Sequence, residues 1–112
     1  MKKIEAVIRK SKYNDVKEAL HQKGLNFLTY WDVTGVGNEK MGHVYRGITY
    51  STSDIHRRYI SLVVPNDQEE TAVQAILTSA ATGEVGDGKI FVSEIQESYR
   101  IRTGEKGSET LK

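Results

Sequence analysis

The chain begins with an alternation of apolar and polar residues, which is the period of a half-buried β-strand. Over residues 2–9, one side carries Ile4, Ala6 and Ile8. From about residue 13 to 23 the apolar spacing becomes helical, and Gly24 is the stop signal. A second alternation, rich in aromatic and β-branched residues, then predicts a strand over residues 26–35. The first third of the chain therefore predicts strand, helix and strand.

The rest of the chain repeats this order after an interruption. No period survives from Gly37 to about Asp54, and the strand pattern returns from Ile60 until Pro65 ends it. A second helix follows, with an apolar stripe made of Val73, Ile76, Leu77 and Ala80. A fourth strand covers about 90–95 and a short fifth lies near 99–102. This order predicts one α+β domain over residues 1–112, a ferredoxin-like double βαβ fold with two helices on one face of a four-stranded antiparallel sheet.

The sheet face away from the helices is also expected to be apolar. It carries Val7, Phe27 or Leu28, and Phe91. A monomer of 112 residues buries only about 60–70% of its unfolded surface, so further burial by association is an advantage. We therefore expect another subunit to cover this face.

Composition excludes several classes of function. The net charge is +1, from 16 basic and 15 acidic residues, so the chain lacks the general basic field of a nucleic-acid binder. The absence of cysteine excludes disulfides and thiolate chemistry. No apolar run approaches the ~20 residues of a membrane span, and a cytoplasmic location is expected. His21, His43 and His56 lie far apart in the predicted fold, so we expect solvated histidines and not a metal site.

The glycine-rich segment 82–91, followed by 100–105, has the features of a phosphate cradle. Its three glycines permit positive φ angles and turn N–H groups toward an anion. Lys89 comes directly afterwards, and Arg100 and Arg102 on the predicted next strand add positive charge. The alternative is a common Gly-Asp-Gly turn beside a solvated strand face. The spacing of the lysine and the two same-face arginines favours the cradle.

The same segments resemble the B-loop (residues 82–89) and the C-loop (residues 100–105) of the PII signal transduction proteins of nitrogen regulation. The resemblance continues in order along nearly the whole chain, through Met1–Ile8, Asp15–Leu20, Val33–Gly37, Tyr45–Gly47 and Val63–Asp67. It implies a homotrimer whose sheets face a central axis and whose subunits bind ATP or ADP between them.

The resemblance also implies which residues contact the nucleotide. The adenosine side is lined by Val7, Thr29, Gly35, Val36, Gly37 and Val63. The phosphates are held by Gly86, Asp87, Gly88 and Lys89, and by Arg100 and Arg102 from the adjacent subunit. Asn38 stands where the family has an arginine that contacts the phosphates, and Ser61 where a glutamate often binds adenosine.

Residues 37–54 form a loop longer than about 12–15 residues, which is uncommon in a compact domain unless the loop is functional or disordered. By resemblance this is the T-loop, which docks onto target proteins. Its Tyr45-Arg46-Gly47 matches the family core, and in relatives the arginine that matches Arg46 plugs the pore of ammonium transporters. Tyr50 lies where some bacterial members carry a nucleotidylated tyrosine, although we favour an unmodified aromatic.

The start of this loop departs from the family pattern. Members that sense 2-oxoglutarate have Arg-Gln-Lys where this chain has Asn38-Glu39-Lys40. Glu39 is a candidate Mg²⁺ ligand, but its charge opposes a bound dianion. Arg57 aligns with the family lysine that pairs with the oxoacid. We therefore expect ATP or ADP as effector, with or without Mg²⁺, and weak or absent 2-oxoglutarate binding.

The predicted function is that of a signalling regulator and not of an enzyme. The favoured target is an ammonium transporter, so that the chain meets the membrane only through this partner. One alternative is a regulator of another transporter or of a cytosolic enzyme. Others are a slow ATPase on the same fold, and a plain trimerising module whose loops are simple turns.

Overall fold

The computed structural model describes residues 1–36, 43–45, 48–50 and 54–112, with only the backbone described at 43–45 and 48–50. The elements, in chain order, are β1 (Lys2–Ile8), α1 (Tyr13–Gln22), β2 (Thr29–Gly35), β3 (His43–Tyr45), β4 (Ile48–Tyr50), β5 (Ile55–Val64), α2 (Glu69–Ala80) and β6 (Lys89–Glu94). Short 3₁₀ turns precede both helices, at Lys10–Lys12 and Asn66–Gln68, and a third covers Ser108–Leu111.

Four of the strands form an antiparallel sheet in the order β2-β5-β1-β6. The central strands β5 and β1 place Tyr59 opposite Val7, and Val7 also faces Lys89 of β6. The two strand-helix-strand halves therefore interleave in one sheet, as the sequence predicts. The ferredoxin-like double βαβ fold is confirmed.

The hydrophobic core lies between the sheet and the two helices. Alternate residues of β1 and β5 are buried on this side, and α1 contributes Val16 and Leu20 while α2 contributes Ala72 and Ile76. The buried strand residues are Ile4, Ala6, Ile8, Ile60, Leu62 and Val64. Because strand side chains alternate between faces, the odd-numbered residues of the same strands lie on the other face of the sheet.

Three predicted details of the fold are wrong. The segment predicted to have no regular structure contains β3 and β4, which pair as an antiparallel two-stranded ladder. The side chain of Leu77 is 48% exposed, because α2 turns the neighbouring Ala75 and Ile76 toward the sheet instead. The fifth strand is replaced by a turn, and Tyr99 forms only an isolated bridge with Lys106.

The face of the sheet opposite the helices carries a row of aromatic and polar side chains. Trp31 stacks on Tyr59, with ring centroids 4.7 Å apart and planes inclined by 20°. The Tyr59 hydroxyl donates a hydrogen bond to the Glu5 carboxylate. Trp31 is 45% exposed and Phe91 is 51% exposed, so this mixed face carries exposed aromatic surface, as predicted for Phe91.

The helix side has a separate cationic cluster near the start of β5. The Arg58 guanidinium lies 4.6 Å from the ring centroids of both Tyr13 and Tyr30. It also donates to both carboxylate oxygens of Asp32, at 2.8 and 3.4 Å. The side chains of Arg58 and its neighbour Arg57 therefore lie on opposite faces of the sheet. Among the described residues, no helix is long and apolar enough to cross a membrane.

Candidate functional site

A cavity of about 350 Å³ opens where the end of β1 meets the end of β2 and the B-loop. It brings together six of the residues that the family resemblance predicts to contact a nucleotide: Val7, Gly35, Val36, Gly86, Gly88 and Lys89. Val33, Ile55, Arg57, Val85 and Phe91 complete its described lining. The charged side chains among these described lining residues, Arg57 and Lys89, are both positive. The cavity therefore suits a ligand with an apolar part and an anionic part.

The B-loop lies directly against the backbone of β1, and Gly88 makes this approach possible. Gly88 has φ +104°, and a Cβ atom placed on it would lie 1.7 Å from the carbonyl oxygen of Val7. No larger residue fits this position without moving the loop away from the strand. One glycine of the predicted phosphate cradle, Gly88, is therefore required by the close contact between the B-loop and β1.

Asp87 stabilises the B-loop from within. Its Oδ2 accepts hydrogen bonds from the backbone N–H groups of Thr82 at 2.7 Å and Gly83 at 2.9 Å, and its Oδ1 accepts from the Thr82 hydroxyl. Thr82, followed by the Arg9 guanidinium and the Gly83 N–H, holds the pKa of the Asp87 carboxyl well below its usual value. A carboxylate engaged in this way shapes the loop and is a poor general base.

Two arginines outside the B-loop donate to its backbone carbonyl groups. Arg9 Nη2 donates to the carbonyl oxygen of Val85 at 3.0 Å, and Arg9 Nε donates to Asp87 Oδ1 at 3.1 Å. Arg57 donates from Nε and Nη2 to the carbonyl oxygen of Gly86, at 3.3 and 3.0 Å. The contact of Arg9 with the B-loop could not be predicted from the sequence, because nothing in the spacing of residues 9 and 85–87 indicates that they meet.

The C-loop differs from its prediction. Arg100 and Arg102 were expected to share a face of a strand, but this segment is a tight turn in which the Gly104 N–H donates to the Arg100 carbonyl oxygen at 2.7 Å. The Arg100 guanidinium forms an ion pair with Glu105 at 2.7 Å and donates to the carbonyl oxygen of Glu109 at 3.2 Å. The segment forms a turn and not a strand because hydrogen bonds within the turn pair its backbone N–H and C=O groups. Arg102 is exposed.

Thr29 and Val63 do not join the cavity. With Ser61, Phe27 and Leu111 they line a second cavity of about 230 Å³. Val63 lies six residues beyond Arg57 on β5, a separation of about 20 Å along a strand. Within one chain, the predicted nucleotide residues therefore fall into two groups near opposite ends of the sheet.

Several predicted residues lie outside the described part of the chain. These are Gly37, Asn38, Glu39, Arg46 and Gly47, together with the side chains of Tyr45 and Tyr50. The candidate metal ligand Glu39, the partner contact predicted at Arg46 and the expectation that Tyr50 is an unmodified aromatic are therefore not tested by the structure.

The described residues contain no group of three metal-binding side chains. His21 is exposed, and His56 is exposed while hydrogen-bonded to Thr34 at 3.2 Å, so the prediction of solvated histidines is confirmed for these two. The side chain of His43 lies outside the described part.

Comparison with known proteins identifies the family. The family model described as "Nitrogen regulatory protein P-II" matches residues 1–105. The chain is 46% identical to the nitrogen regulatory protein P-II of Rhodospirillum rubrum and to that of Bradyrhizobium diazoefficiens, in each case over 99% of this chain and 100% of the relative. It is 44% identical to nitrogen regulatory protein P-II 1 of Escherichia coli K12, over 95% of this chain and 96% of the relative. These names describe regulatory proteins, in agreement with the prediction of a regulator and not an enzyme. The chain therefore belongs to the P-II family of nitrogen regulatory proteins.

Proposed function

We propose that this protein binds ATP or ADP in clefts between the subunits of a homotrimer and passes the state of those clefts to a target through residues 37–54. The observation that carries the proposal is the cavity at the B-loop, where Gly35, Gly86 and Gly88 meet beside Lys89 and Arg57. Apolar walls suit the nucleoside, and the two cations with a close backbone suit the phosphates.

The separation of the predicted site into two groups supports a cleft that two subunits share. The B-loop cavity supplies one wall. The region of Thr29 and Val63 supplies the other, and the C-loop is tied to it because Arg100 holds Glu109, two residues before Leu111. Neither group by itself offers both phosphate ligands and a complete nucleoside pocket. A neighbouring chain that brings the second group to the first would complete the site.

The exposed aromatic residues of the open sheet face support the trimer. Trp31 of β2 stacks on Tyr59 of β5, Phe91 is exposed on β6 across the central strand β1, and Phe27 is 72% exposed at one end of the sheet. Exposed apolar surface of this kind is typical of an interface. Burial of this face against two other copies would also place the cleft walls side by side.

The first test is calorimetric titration of the protein with ATP, ADP and AMP, with and without Mg²⁺. We expect ATP or ADP to bind, and Lys89→Ala to weaken binding about ten- to a hundredfold, since a hydrogen bond to a charged group contributes ~1.5–3 kcal/mol. Lys17→Ala is the control, because Lys17 is an exposed lysine of α1 on the helix side of the sheet. No heat with any nucleotide, or equal affinity of the Lys89 variant and wild type, would contradict the cradle.

A mixing experiment tests whether subunits share the site. Lys89→Ala and Arg102→Ala damage the two proposed walls separately. When the two variants are unfolded together and refolded, mixed trimers contain interfaces that combine two intact walls, so part of the nucleotide binding should return. A site built within one chain would regain none, because every chain carries one damaged wall.

We propose an ammonium transporter as the target, because Tyr45-Arg46-Gly47 matches the T-loop core of relatives that regulate such transporters. Membranes that contain the transporter should retain the wild-type protein in one nucleotide state and release it in the other. Arg46→Ala should lose inhibition of transport while it keeps its nucleotide affinity. If this variant inhibits as well as wild type, the regulator of another transporter or of a cytosolic enzyme becomes the better assignment.

A further inference from the structure

The B-loop presents three successive hydrogen-bond acceptors to two arginines of the sheet. The carbonyl oxygen of Val85 and the carboxylate of Asp87 accept from Arg9, and the carbonyl oxygen of Gly86 between them accepts from Arg57. The two guanidinium groups therefore hold an uninterrupted stretch of the loop.

Carbonyl orientation matters in a loop that binds an anion. In a trans peptide the N–H and C=O groups point in opposite directions, so a fixed carbonyl also fixes the N–H of the next residue. A carbonyl oxygen that turned toward a phosphate would repel it. With the carbonyls of Val85 and Gly86 held by cations, the N–H groups of Gly86 and Asp87 point away from the arginines and the repulsive orientation is disfavoured.

Both arginines belong to the central strands of the sheet or directly follow one of them. Arg9 directly follows β1, and its side chain is 24% exposed. Arg57 belongs to β5, and its Nη1 donates to the carbonyl oxygen of His56 at 2.8 Å, which fixes the guanidinium plane. Because an arginine fork donates along several fixed directions, Arg57 can bind the carbonyl oxygen of Gly86 while it also binds that of His56.

We infer that Arg9 and Arg57 are positioning residues of the B-loop, which hold the carbonyl groups of Val85 and Gly86 so that the loop is ordered for a phosphate group before the ligand arrives. The role of Arg57 then differs from that of the oxoacid-binding lysine with which it aligns. This inference rests on the proposed nucleotide site. An ordered loop binds more tightly because less conformational entropy is lost on binding.

The test compares Arg9→Ala and Arg57→Ala with a matched control, Arg58→Ala. Arg58 is the neighbouring arginine on β5, and its replacement removes the same charge. Its side chain, however, donates to Asp32 on the opposite face of the sheet. Two quantities are measured for each folded variant: the ATP affinity by calorimetry, and the hydrogen–deuterium exchange of residues 82–89 in the ligand-free protein. Arg57→Lys, which keeps the charge but loses the fork, replaces the alanine variant if that variant fails to fold.

We expect Arg9→Ala and Arg57→Ala to weaken ATP binding by about tenfold and to accelerate exchange of the B-loop in the free protein, while Arg58→Ala changes neither. Unchanged exchange overturns the inference, whatever happens to affinity, because an arginine that only contacts the ligand does not order the free loop. Accelerated exchange with unchanged ATP affinity also overturns it. If wild-type protein binds neither ATP nor ADP, the proposed function is wrong, and the exchange data still decide whether these arginines order the loop.

Discussion

Replacement of Gly88 by alanine tests the close approach of the B-loop to β1. The new Cβ atom would lie 1.7 Å from the carbonyl oxygen of Val7 and 2.9 Å from its carbonyl carbon. Real Cβ atoms essentially never come within 3.0 Å of another heavy atom, so the oxygen and the Cβ must separate by at least 1.3 Å, which is 3.0 minus 1.7 Å. Both atoms belong to backbone, and no flexible side chain can absorb this displacement.

The cost has two parts. A non-glycine residue at φ +104° is strained by about 1–3 kcal/mol. Displacement of the loop also disturbs the β1–β6 ladder where Val7 faces Lys89, and each lost hydrogen bond costs about 0.5–1.5 kcal/mol. We therefore expect Gly88→Ala to lower the free energy of unfolding by about 2–5 kcal/mol, and to weaken ATP binding because Lys89 moves with the loop.

Gly83→Ala is the matched control in the same loop. Gly83 also has a positive φ, +86°, but a Cβ atom there would have no heavy atom within 4 Å. This variant carries the strain without the collision, so its loss should be smaller, about 1–3 kcal/mol. Urea unfolding at one fixed protein concentration measures both values, because the stability of an oligomer depends on concentration. Equal losses in the two variants would refute the steric argument.

Further predictions concern pH, assembly and effector specificity. Hydrogen bonds to the Asp87 carboxylate lower its pKa in the folded protein. The stability that Asp87 contributes is therefore full above the unfolded pKa of about 3.9 and is lost as the pH falls further. Asp87→Asn should reduce this loss of stability in acid, measured by urea unfolding between about pH 5 and 2.5. Phe91→Asp places a charge on the open sheet face and should convert a trimer into monomers in light scattering, whereas the exposed helix-side variant Leu77→Asp should not; a wild-type monomer at micromolar concentration would contradict the trimer itself. In a calorimetric titration with Mg-ATP present, 2-oxoglutarate should bind more weakly than about 1 mM, because the Glu39 carboxylate opposes a dianion by roughly 1 kcal/mol at ~4 Å even with water-like screening; submillimolar affinity would show that this argument is wrong.

Local signals in the sequence were sufficient to predict most of the fold. The alternation of Ile4, Ala6 and Ile8 marks the buried side of β1, and Pro65 ends β5 as expected. The alternation predicts the buried face correctly because every second residue of a strand points to the same side of the sheet. It fails at Leu77, because which side of α2 meets the sheet depends on how the helix packs.

In the candidate functional site, too, some features could be predicted from the sequence and others depend on the tertiary structure. The order of glycines and cations in residues 82–89 is a local property, and the sequence alone was enough to predict a phosphate cradle there and to assign the chain to its family. Three other features depend on residues far apart in the chain that only the folded sheet brings together. Arg9 meets Val85 and Asp87, Arg57 meets Gly86, and Val7 meets Gly88 so closely that no side chain fits between them. Likewise, the tertiary structure alone separates Thr29 and Val63 from the B-loop cavity, because the register of β2, β5 and β1 decides which residues share one end of the sheet. Sequence spacing carries no information about such register, since it is fixed by hydrogen bonds and packing between strands that are distant along the chain.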